Sequence, residues 1–299
     1  MSELVEKQDV VSFLGDLIGE EVFYCPNPGN AGDALIAEAT YQLFDEIGLS
    51  YQVVWPTENM DLAGKIVLYG GGGSLVSKYE PARRFIERYH SSVRLLVLLP
   101  HTVEGHEDLL QQFGENVVVF CREHVSYAHV RKYASKATVL LADDLAFGLD
   151  VDRVLREGEG WRHPRFWWNA LFKYNRKPRR IARIAWNLFQ HRPARKGVLN
   201  AFRTDAEKTN YPVPEDNLDI TGLLILGTRH RYLVRAASFM MLDFINRYEE
   251  VNTNRLHVCI ASLLLGKRVN FYPNNYWKCK AVYEATIRDR YSQVTWMGD

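Results

Sequence analysis

An arginine and a histidine stand two residues apart at the start of an apolar stretch, in the run TNRLHVCIASLLL (residues 253–265). The apolar residues predict a buried helix, and the N–H groups and dipole at a helix start favour an anion. Arg255 adds a planar fork that suits a carboxylate or phosphate. A histidine such as His257 is the side chain best suited to proton transfer near neutral pH. The run therefore predicts an anion site with a proton donor; the alternative is a structural ion pair of Arg255 beside a His257 that bonds a carbonyl group.

Two glycine-containing runs follow predicted strands. The run NPGNAGDALI (residues 27–36) brings the backbone close to a ligand at a helix start, where Asp33 is an N-cap, a sugar ligand or a base. It lacks the G-x-G-x-x-G pattern of dinucleotide sites. The run GGGGS (residues 70–74) predicts a loop whose backbone approaches a ligand or an anion, and it lacks the lysine and spacing of a P-loop.

Polar side chains also follow three further predicted strands. His101 follows the fourth strand, Arg122 the fifth, and Asp143 and Asp144 the sixth. Open parallel sheets bind ligands at the carboxyl ends of their strands. These residues together therefore favour a ligand site at that edge.

The hydrophobic pattern alternates between strands and helices. Short apolar runs predict strands at Glu21–Cys25, Tyr51–Trp55, Lys65–Tyr69, Leu95–Leu99, Val117–Cys121, Thr138–Ala142, Gly197–Phe202 and Lys267–Tyr272. Helical spacing predicts helices at Asp33–Ile47, Pro81–Tyr89, Glu107–Phe113, Ser126–Ala134, Tyr232–Tyr248, Val258–Leu265 and Lys278–Arg288. Strands that are apolar throughout, separated by helices, indicate parallel sheets covered on both faces.

We therefore expect two α/β domains facing a cleft. The predicted domains are residues 1–150 and 197–299, and a basic, aromatic segment at residues 151–196 connects them. This connecting segment is interrupted by glycines and prolines and holds four of the seven tryptophans.

Composition excludes several functional classes. The chain has 299 residues, 47% hydrophobic and 24% charged, with a net charge of +1. That balance is typical of a globular protein and gives no global attraction to nucleic acid. The four cysteines are far apart with no C-x-x-C pair, so we expect reduced thiols, no zinc site and a cytoplasmic location. The charged N-terminal residues do not suit a signal peptide, and the apolar runs, at about eight residues, are too short to span a membrane.

The segment at residues 161–190 has the features of a membrane-surface helix. Residues 151–195 hold 12 Lys/Arg against 3 Asp/Glu. The helical apolar positions are Ile181, Ile184, Ala185, Leu188 and Phe189, and arginines lie off that stripe. A basic amphipathic helix with aromatic neighbours binds anionic membranes, so we expect peripheral contact with the inner membrane face. The alternative is a helix packed on its own domain, and no nucleic-acid motif accompanies the charge.

These landmarks together resemble the polysaccharide pyruvyl transferase family over roughly residues 21–285. The matching runs are NAGDALI (30–36), GGGG (70–73), RE (122–123) with Ser126, ADDLAF (142–147), NRLH (254–257) and NNYWK (274–278). The family resemblance implies a fold similar to GT-B glycosyltransferases, with two Rossmann-like domains. It also implies transfer of pyruvate from phosphoenolpyruvate to a sugar of a lipid-linked bacterial polysaccharide repeat unit, as a cyclic ketal. Ser74, His101 and Trp277 depart from the family pattern, which affects the identity of the acceptor.

The resemblance and the residue types together assign the predicted roles. The catalytic candidates are His257, His101 and Asp33. The donor-binding candidates are Arg255, Arg122, Leu256, Gly71, Gly72 and Ser74. The acceptor-binding candidates are Asn30, Asp143, Asn274, Tyr276 and Lys278. The reaction requires no cofactor or metal, and phosphoenolpyruvate is the donor substrate. Two alternatives stay open: a GT-B-type glycosyltransferase that uses a nucleotide sugar, and a carbohydrate-binding subunit without catalytic activity.

Overall fold

A computed structural model describes residues 6–158, 162–174, 176–190 and 197–298. The described chain forms two compact units. The first unit comprises the described residues of Met1–Pro28 and Ala39–Gly148, and the second those of Gly29–Glu38 and Leu149–Asp299. The short stretch Gly29–Glu38 thus groups with the C-terminal residues, which no local sequence signal indicates.

The first unit contains a parallel seven-stranded sheet. Its strands are β1 (Val22–Cys25), β2 (Tyr51–Val53), β3 (Ile66–Tyr69), β4 (Gly72–Val76), β5 (Leu95–Glu104), β6 (Val117–Cys121) and β7 (Thr138–Leu141). Their order is β2-β1-β3-β5-β6-β7, with β4 pairing with β5 beyond the end of β3. Strands β1, β3 and β6 are buried along their whole length, which is the pattern of a sheet covered on both faces.

The second unit contains a parallel four-stranded sheet in the order β11-β10-β9-β8. Its strands are β8 (Val198–Ala201), β9 (Glu250–Thr253), β10 (Arg268–Phe271) and β11 (Val294–Trp296). An amide ladder crosses this sheet: Asn252 donates to Asn200 at 2.8 Å, and Asn270 donates to Asn252 at 2.8 Å. Paired amides fix the register of the three strands.

Helices flank these strands along the chain. They are α1 (Val10–Gly15), α2 (Ala31–Ile47), α3 (Pro81–Tyr89), α4 (Glu107–Leu110), α5 (His124–Tyr133), α6 (Val151–Glu157), α7 (Pro164–Trp168), α8 (Pro178–Gln190), α9 (Ile220–Leu223), α10 (Arg231–Asn246), α11 (Leu256–Leu264), α12 (Lys278–Val282) and α13 (Arg288–Arg290). A 3-10 turn covers Leu145–Gly148, and π-helical turns cover Asn169–Lys173 and Tyr283–Ile287.

The predicted mixed α/β fold with parallel sheets is confirmed, and it is consistent with a Rossmann-like architecture. Every predicted strand is present, but β4, β9 and β11 were not predicted. Strand β9 alternates polar and apolar residues over only four positions, so its hydrophobic pattern is too short to separate it from a loop. All four cysteines are buried free thiols.

Candidate active site

Helix α11 begins directly at the carboxyl end of β9. Thr253 ends the strand, and its hydroxyl oxygen accepts a hydrogen bond of 3.0 Å from the backbone N–H of Arg255. Arg255 has extended backbone geometry as the N-cap, and the first helical bond runs from Cys259 N–H to the Arg255 carbonyl at 2.9 Å. The N–H groups of residues 256–258 therefore precede the helical hydrogen-bond ladder, as expected at the positive end of a helix dipole. His257 occupies the second helical position and is half-buried.

Helix α2 begins with a reciprocal capping arrangement. The Asn30 side-chain oxygen accepts from the Gly32 N–H at 2.8 Å, and the Asp33 carboxylate accepts from the Asn30 N–H at 2.9 Å. This resembles a capping box, with Asn30 as the N-cap and Asp33 at the third helical position, except that Asn30 accepts from the second helical N–H and not the third. A Cβ on Gly29 would fall 1.8 Å from the Asp33 carboxylate, so this turn requires glycine. The interpretation of Asp33 as the N-cap is therefore wrong: Asn30 is the N-cap, and Asp33, three residues further on, caps the Asn30 N–H.

The starts of α2 and α11 meet at His257, within the second unit. A Cβ on Gly32 would fall 2.9 Å from Nδ1 of His257 and 3.1 Å from its Cβ. Glycine therefore lets the first turn of α2 lie against the imidazole ring. Two helix N-termini beside one half-buried histidine provide positive potential for an anion together with a proton carrier.

The Arg255 guanidinium is paired with two carboxylates of the same unit. Its Nε donates to Asp219 at 2.5 Å, a second guanidinium nitrogen bonds the other Asp219 oxygen, and Nη2 lies 3.2 Å from Asp205. This is a bidentate ion pair with a side chain that is only 7% exposed. The alternative interpretation of Arg255 as a structural ion pair therefore describes its contacts, and its role in donor binding stays a prediction.

A second set of ion pairs lies beside this one. Glu207 accepts from Arg203, from Lys278 at 2.5 Å and from the Asn274 amide at 3.4 Å. The neighbouring Asp205 also pairs with Arg203. Burial of Asp205 opposes its ionisation, but hydrogen bonds and charge from Arg203 lower the pKa of Asp205 to about 2. The predicted acceptor residues Asn274 and Lys278 are thus brought together around one buried carboxylate.

Two further details of this region concern predicted acceptor residues. The side-chain oxygen of Asn274 is buried and has no hydrogen-bond partner among the described residues. The Lys278 ammonium lies 5.2 Å from the centre of the Tyr276 ring, and burial raises the pKa of the Tyr276 hydroxyl. Tyr276 is therefore a neutral group at physiological pH.

His101 lies in the first unit, within β5, which runs on to Glu104. The prediction that His101 follows this strand is therefore wrong, because the strand continues through the polar residues beyond Leu99. Its Nε2 accepts from the backbone N–H of Ser74 at 3.3 Å and lies 3.4 Å from the Ser74 hydroxyl. The Ser74 hydroxyl donates to the Asn27 side chain at 2.6 Å, and so does Tyr69 at 3.1 Å. Burial, followed by the charge of Arg122, lowers the pKa of His101 to about 3. A neutral imidazole whose Nε2 accepts a hydrogen bond is poorly suited to the predicted role of proton donor.

Arg122 forms a buried ion pair in the first unit. Its Nη1 donates to Asp144 at 2.6 Å and its Nε to Thr102 at 2.8 Å, and the side chain is 1% exposed. Asp144 also accepts from the backbone N–H of Ala146 at 2.9 Å. These contacts fit a structural group that links the end of β6 to β5 and to the turn that follows β7, so donor binding by Arg122 stays a prediction. The neighbouring Asp143 pairs with Lys7 at 2.5 Å.

The glycine run supports a close approach of backbone to backbone. A Cβ on Gly70 would fall 2.6 Å from the backbone nitrogen of Asn27. Gly72 has φ 147°, and the run continues as β4 rather than as a loop. The packing of the segment that follows β1 thus explains Gly70, while the predicted contact of Gly71 and Gly72 with the donor stays untested.

Four acidic and basic residues that follow β8 were not predicted as site residues. These residues are Arg203, Asp205, Glu207 and Asp219. The same rule that selected Arg122, a polar residue after a predicted strand, would have selected Arg203 and Asp205. In the part of the chain that the structure describes, no group of three or more His, Cys, Asp or Glu side chains is arranged to hold a metal ion.

Comparison with known proteins gives matches over nearly the whole chain. The "Putative pyruvyl transferase EpsO" of Bacillus subtilis (strain 168) is 24% identical, over 92% of this chain and 88% of that protein. The crystal structure of a functionally uncharacterized protein from Klebsiella pneumoniae subsp. pneumoniae NTUH-K2044 superposes with a TM-score of 0.76 and 29% identity, over 97% of each chain. Residues 30–276 match the family described as "Polysaccharide pyruvyl transferase". With its family match and its parallel α/β units, this chain belongs to the polysaccharide pyruvyl transferase family, as its sequence motifs predicted.

Proposed function

We propose that this transferase moves pyruvate from phosphoenolpyruvate to two hydroxyls of one sugar and forms a cyclic ketal. In this reaction C3 of the donor gains a proton, and C2 becomes cation-like and bonds both hydroxyl oxygens. The C2–O bond to phosphate breaks. The two hydroxyls lose two protons, of which one balances the proton gained at C3 and the other leaves with phosphate. The chemistry needs an anion site and a proton carrier but no redox cofactor or metal.

The observation that carries this proposal is the meeting of two helix starts at His257. Phosphoenolpyruvate carries a carboxylate and a phosphate, which are the groups that helix N-termini bind. His257 stands at the second position of α11 and against Gly32 at the second position of α2. A histidine in that place can protonate C3 of a donor held by the two helix starts. The Asp33 carboxylate caps α2 by accepting from the Asn30 N–H, so it is less suited than His257 to exchange protons with the substrates.

The acceptor in this proposal is a sugar on a lipid-linked repeat unit of an exopolysaccharide or capsule. Support comes from exposed aromatic side chains in residues 161–190. Trp168, Phe172, Trp186 and Phe189 are all exposed, whereas Ile181 and Ile184 of the predicted stripe are buried. The stripe of α8 therefore packs on the protein over its first turns, and membrane contact would use the aromatic residues instead. No helix among the described residues is long and apolar enough to cross a membrane. The GT-B-like architecture stays part of this proposal.

Donor binding can be tested before the acceptor is known. We expect phosphoenolpyruvate to raise the thermal unfolding midpoint, because a ligand at about 100 times its Kd stabilises a protein by about 2.7 kcal/mol. UDP-glucose and other nucleotide sugars should not do so. A panel of hexosides with neighbouring free hydroxyls then tests turnover, measured as phosphate release and as a ketal carbon signal in NMR spectra. Stabilisation by a nucleotide sugar, with no effect of phosphoenolpyruvate and no ketal product, would favour the glycosyltransferase alternative.

A further inference from the structure

A polar cavity of about 570 Å³ lies within the second unit, and its described lining does not include His257, Arg255 or Gly32. Its volume is in the range of small-molecule sites. Helices α6, α7 and α10 and the π-helical turn Asn169–Lys173 contribute to its lining. Among the described lining residues, five side chains are cationic and one is a carboxylate. These charged side chains are Arg153, Arg165, Lys173, Arg231, Arg235 and Glu157.

The carboxylates in this region connect its arginines to one another. Glu157 accepts from Arg235 at 3.0 Å and from Arg153 at 3.4 Å. Arg235 also donates to Glu38 at 2.9 Å, and the Glu38 side chain is fully buried. Cationic groups still exceed carboxylates in the lining, so the cavity attracts anions. The ion pairs hold Arg153 and Arg235 in place, which lowers the entropy cost of binding such a ligand.

Two tyrosines form a wall of the cavity. The rings of Tyr174 and Tyr232 are stacked, with centroids 5.4 Å apart and an interplanar angle of 17°. The Lys173 ammonium lies 5.6 Å from the Tyr174 ring centre. A stacked pair with two hydroxyl groups and a nearby ammonium is a rigid surface on which a phosphate oxygen can accept hydrogen bonds.

The segment that lines the cavity also exposes aromatic side chains. Arg165, Asn169 and Lys173, spaced by four residues, line the cavity. Trp168 and Phe172, spaced by four on an adjacent side of the same helical segment, are 65% and 69% exposed, with ring centroids 4.7 Å apart. Exposed aromatic rings beside cationic side chains are typical of surfaces that enter the headgroup region of a membrane.

We propose that this cavity binds the phosphate or diphosphate headgroup of a membrane lipid while Trp168 and Phe172 enter the bilayer interface. The cations favour a phosphate, and the adjacent exposed rings favour a phosphate that is attached to a lipid rather than free in solution. The proposal rests on the proposed function in one respect only: that lipid would be the carrier of the acceptor sugar. The described lining of this site shares no residue with the set around His257 at which phosphoenolpyruvate would react.

Vesicle flotation of the full chain tests this site. The probes are phosphatidylcholine vesicles, the same vesicles with phosphatidic acid, and vesicles with phosphatidylglycerol adjusted to the same zeta potential. We expect binding in the order phosphatidic acid, then phosphatidylglycerol, then phosphatidylcholine, because phosphatidic acid presents an unsubstituted phosphate. The double variant R165Q/K173Q should bind phosphatidic acid vesicles about 10- to 30-fold more weakly, since each basic residue near a membrane surface contributes about 1 kcal/mol.

Matched variants separate the phosphate site from general charge and from the aromatic contact. The control K132Q/K136Q removes two exposed cations of the first unit and should leave binding unchanged. W168S/F172S should reduce vesicle binding but retain calorimetric binding of inorganic diphosphate. Tight diphosphate binding without vesicle binding would overturn the lipid assignment and indicate a soluble phosphate ligand. Equal losses for R165Q/K173Q and K132Q/K136Q would overturn the cavity as the site. Neither measurement depends on turnover, so both stand apart from the test with phosphoenolpyruvate.

Discussion

His257 lies against Gly32 so closely that a methyl group on the glycine would fall 2.9 Å from the imidazole Nδ1. The two residues are 225 positions apart, and each stands at the second position of its helix. Their contact brings the positive ends of α2 and α11 to one imidazole ring. The runs NAGDALI (30–36) and NRLH (254–257), which both predicted a ligand site, therefore lie side by side in the second unit.

The closeness of this contact predicts the effect of Gly32→Ala. The added methyl group must displace the imidazole ring or the first turn of α2, and overpacking of this kind costs roughly 1–3 kcal/mol. We expect a lower unfolding midpoint and a large loss of turnover, because the proton carrier moves. Gly15→Ala is the matched control, since nothing lies within 4 Å of its added methyl group. Full activity of Gly32→Ala would show that the position of His257 is not important for the reaction.

His257→Asn should affect chemistry far more than stability. If His257 protonates the donor, removing it lowers kcat about 10²- to 10⁴-fold, the range for general acid–base catalysis. Because the side chain is half-buried at a helix start, we expect only a small change in the unfolding midpoint. The exposed His124 at the start of α5 provides the control variant His124→Asn. An equal loss of kcat in both variants would remove His257 from the mechanism.

Arg255→Ala should destabilise the fold even without a ligand. The substitution leaves the Asp219 carboxylate, 13% exposed, without its bidentate partner. Removing one member of a buried ion pair costs about 3–5 kcal/mol. Arg255→Lys keeps the charge but not the planar fork, so it should cost less. Chemical denaturation of both variants measures these differences, and titration with phosphoenolpyruvate measures donor binding separately. An unchanged free energy of unfolding with weaker donor binding would show that Arg255 acts on the donor instead.

The low pKa of His101 predicts a pH dependence of stability. The folded protein keeps His101 neutral down to a pKa of about 3, whereas the unfolded chain binds a proton near pH 6.5. Between these values the unfolded state holds more protons, so stability is complete above pH 6.5 and falls as the pH is lowered. The slope attributable to one such group is at most about 1.4 kcal/mol per pH unit.

The variant His101→Gln isolates this contribution. We expect the decrease in unfolding free energy from pH 7 to pH 5 to be smaller in His101→Gln than in the wild type. His90, whose pKa burial also lowers, contributes equally to both proteins and cancels in the comparison. Parallel pH profiles for the wild type and the variant would contradict a neutral buried His101.

The sequence patterns were sufficient for every strand of the first unit except β4, and for the buried helix α11. Continuous apolar runs predicted β1, β3 and β6 almost to the residue, because strands buried on both faces must be apolar throughout. The pattern failed for β9, where Asn252 belongs to the amide ladder of the sheet. A polar residue that pairs only across strands has no local signal of its role.

Local sequence thus determined most of the element types, the family and the polar side chains that follow β6 and β7. Tertiary structure decided which of those side chains have partners. The sequence alone left Arg255 as either a donor ligand or a structural ion pair, and Asp219, 36 positions away, accepts its guanidinium. Likewise, only folding shows that His101 is buried beside Arg122 and held neutral. The reason is that charge and proton affinity depend on distance and burial in space, and both are set by residues far apart in the chain.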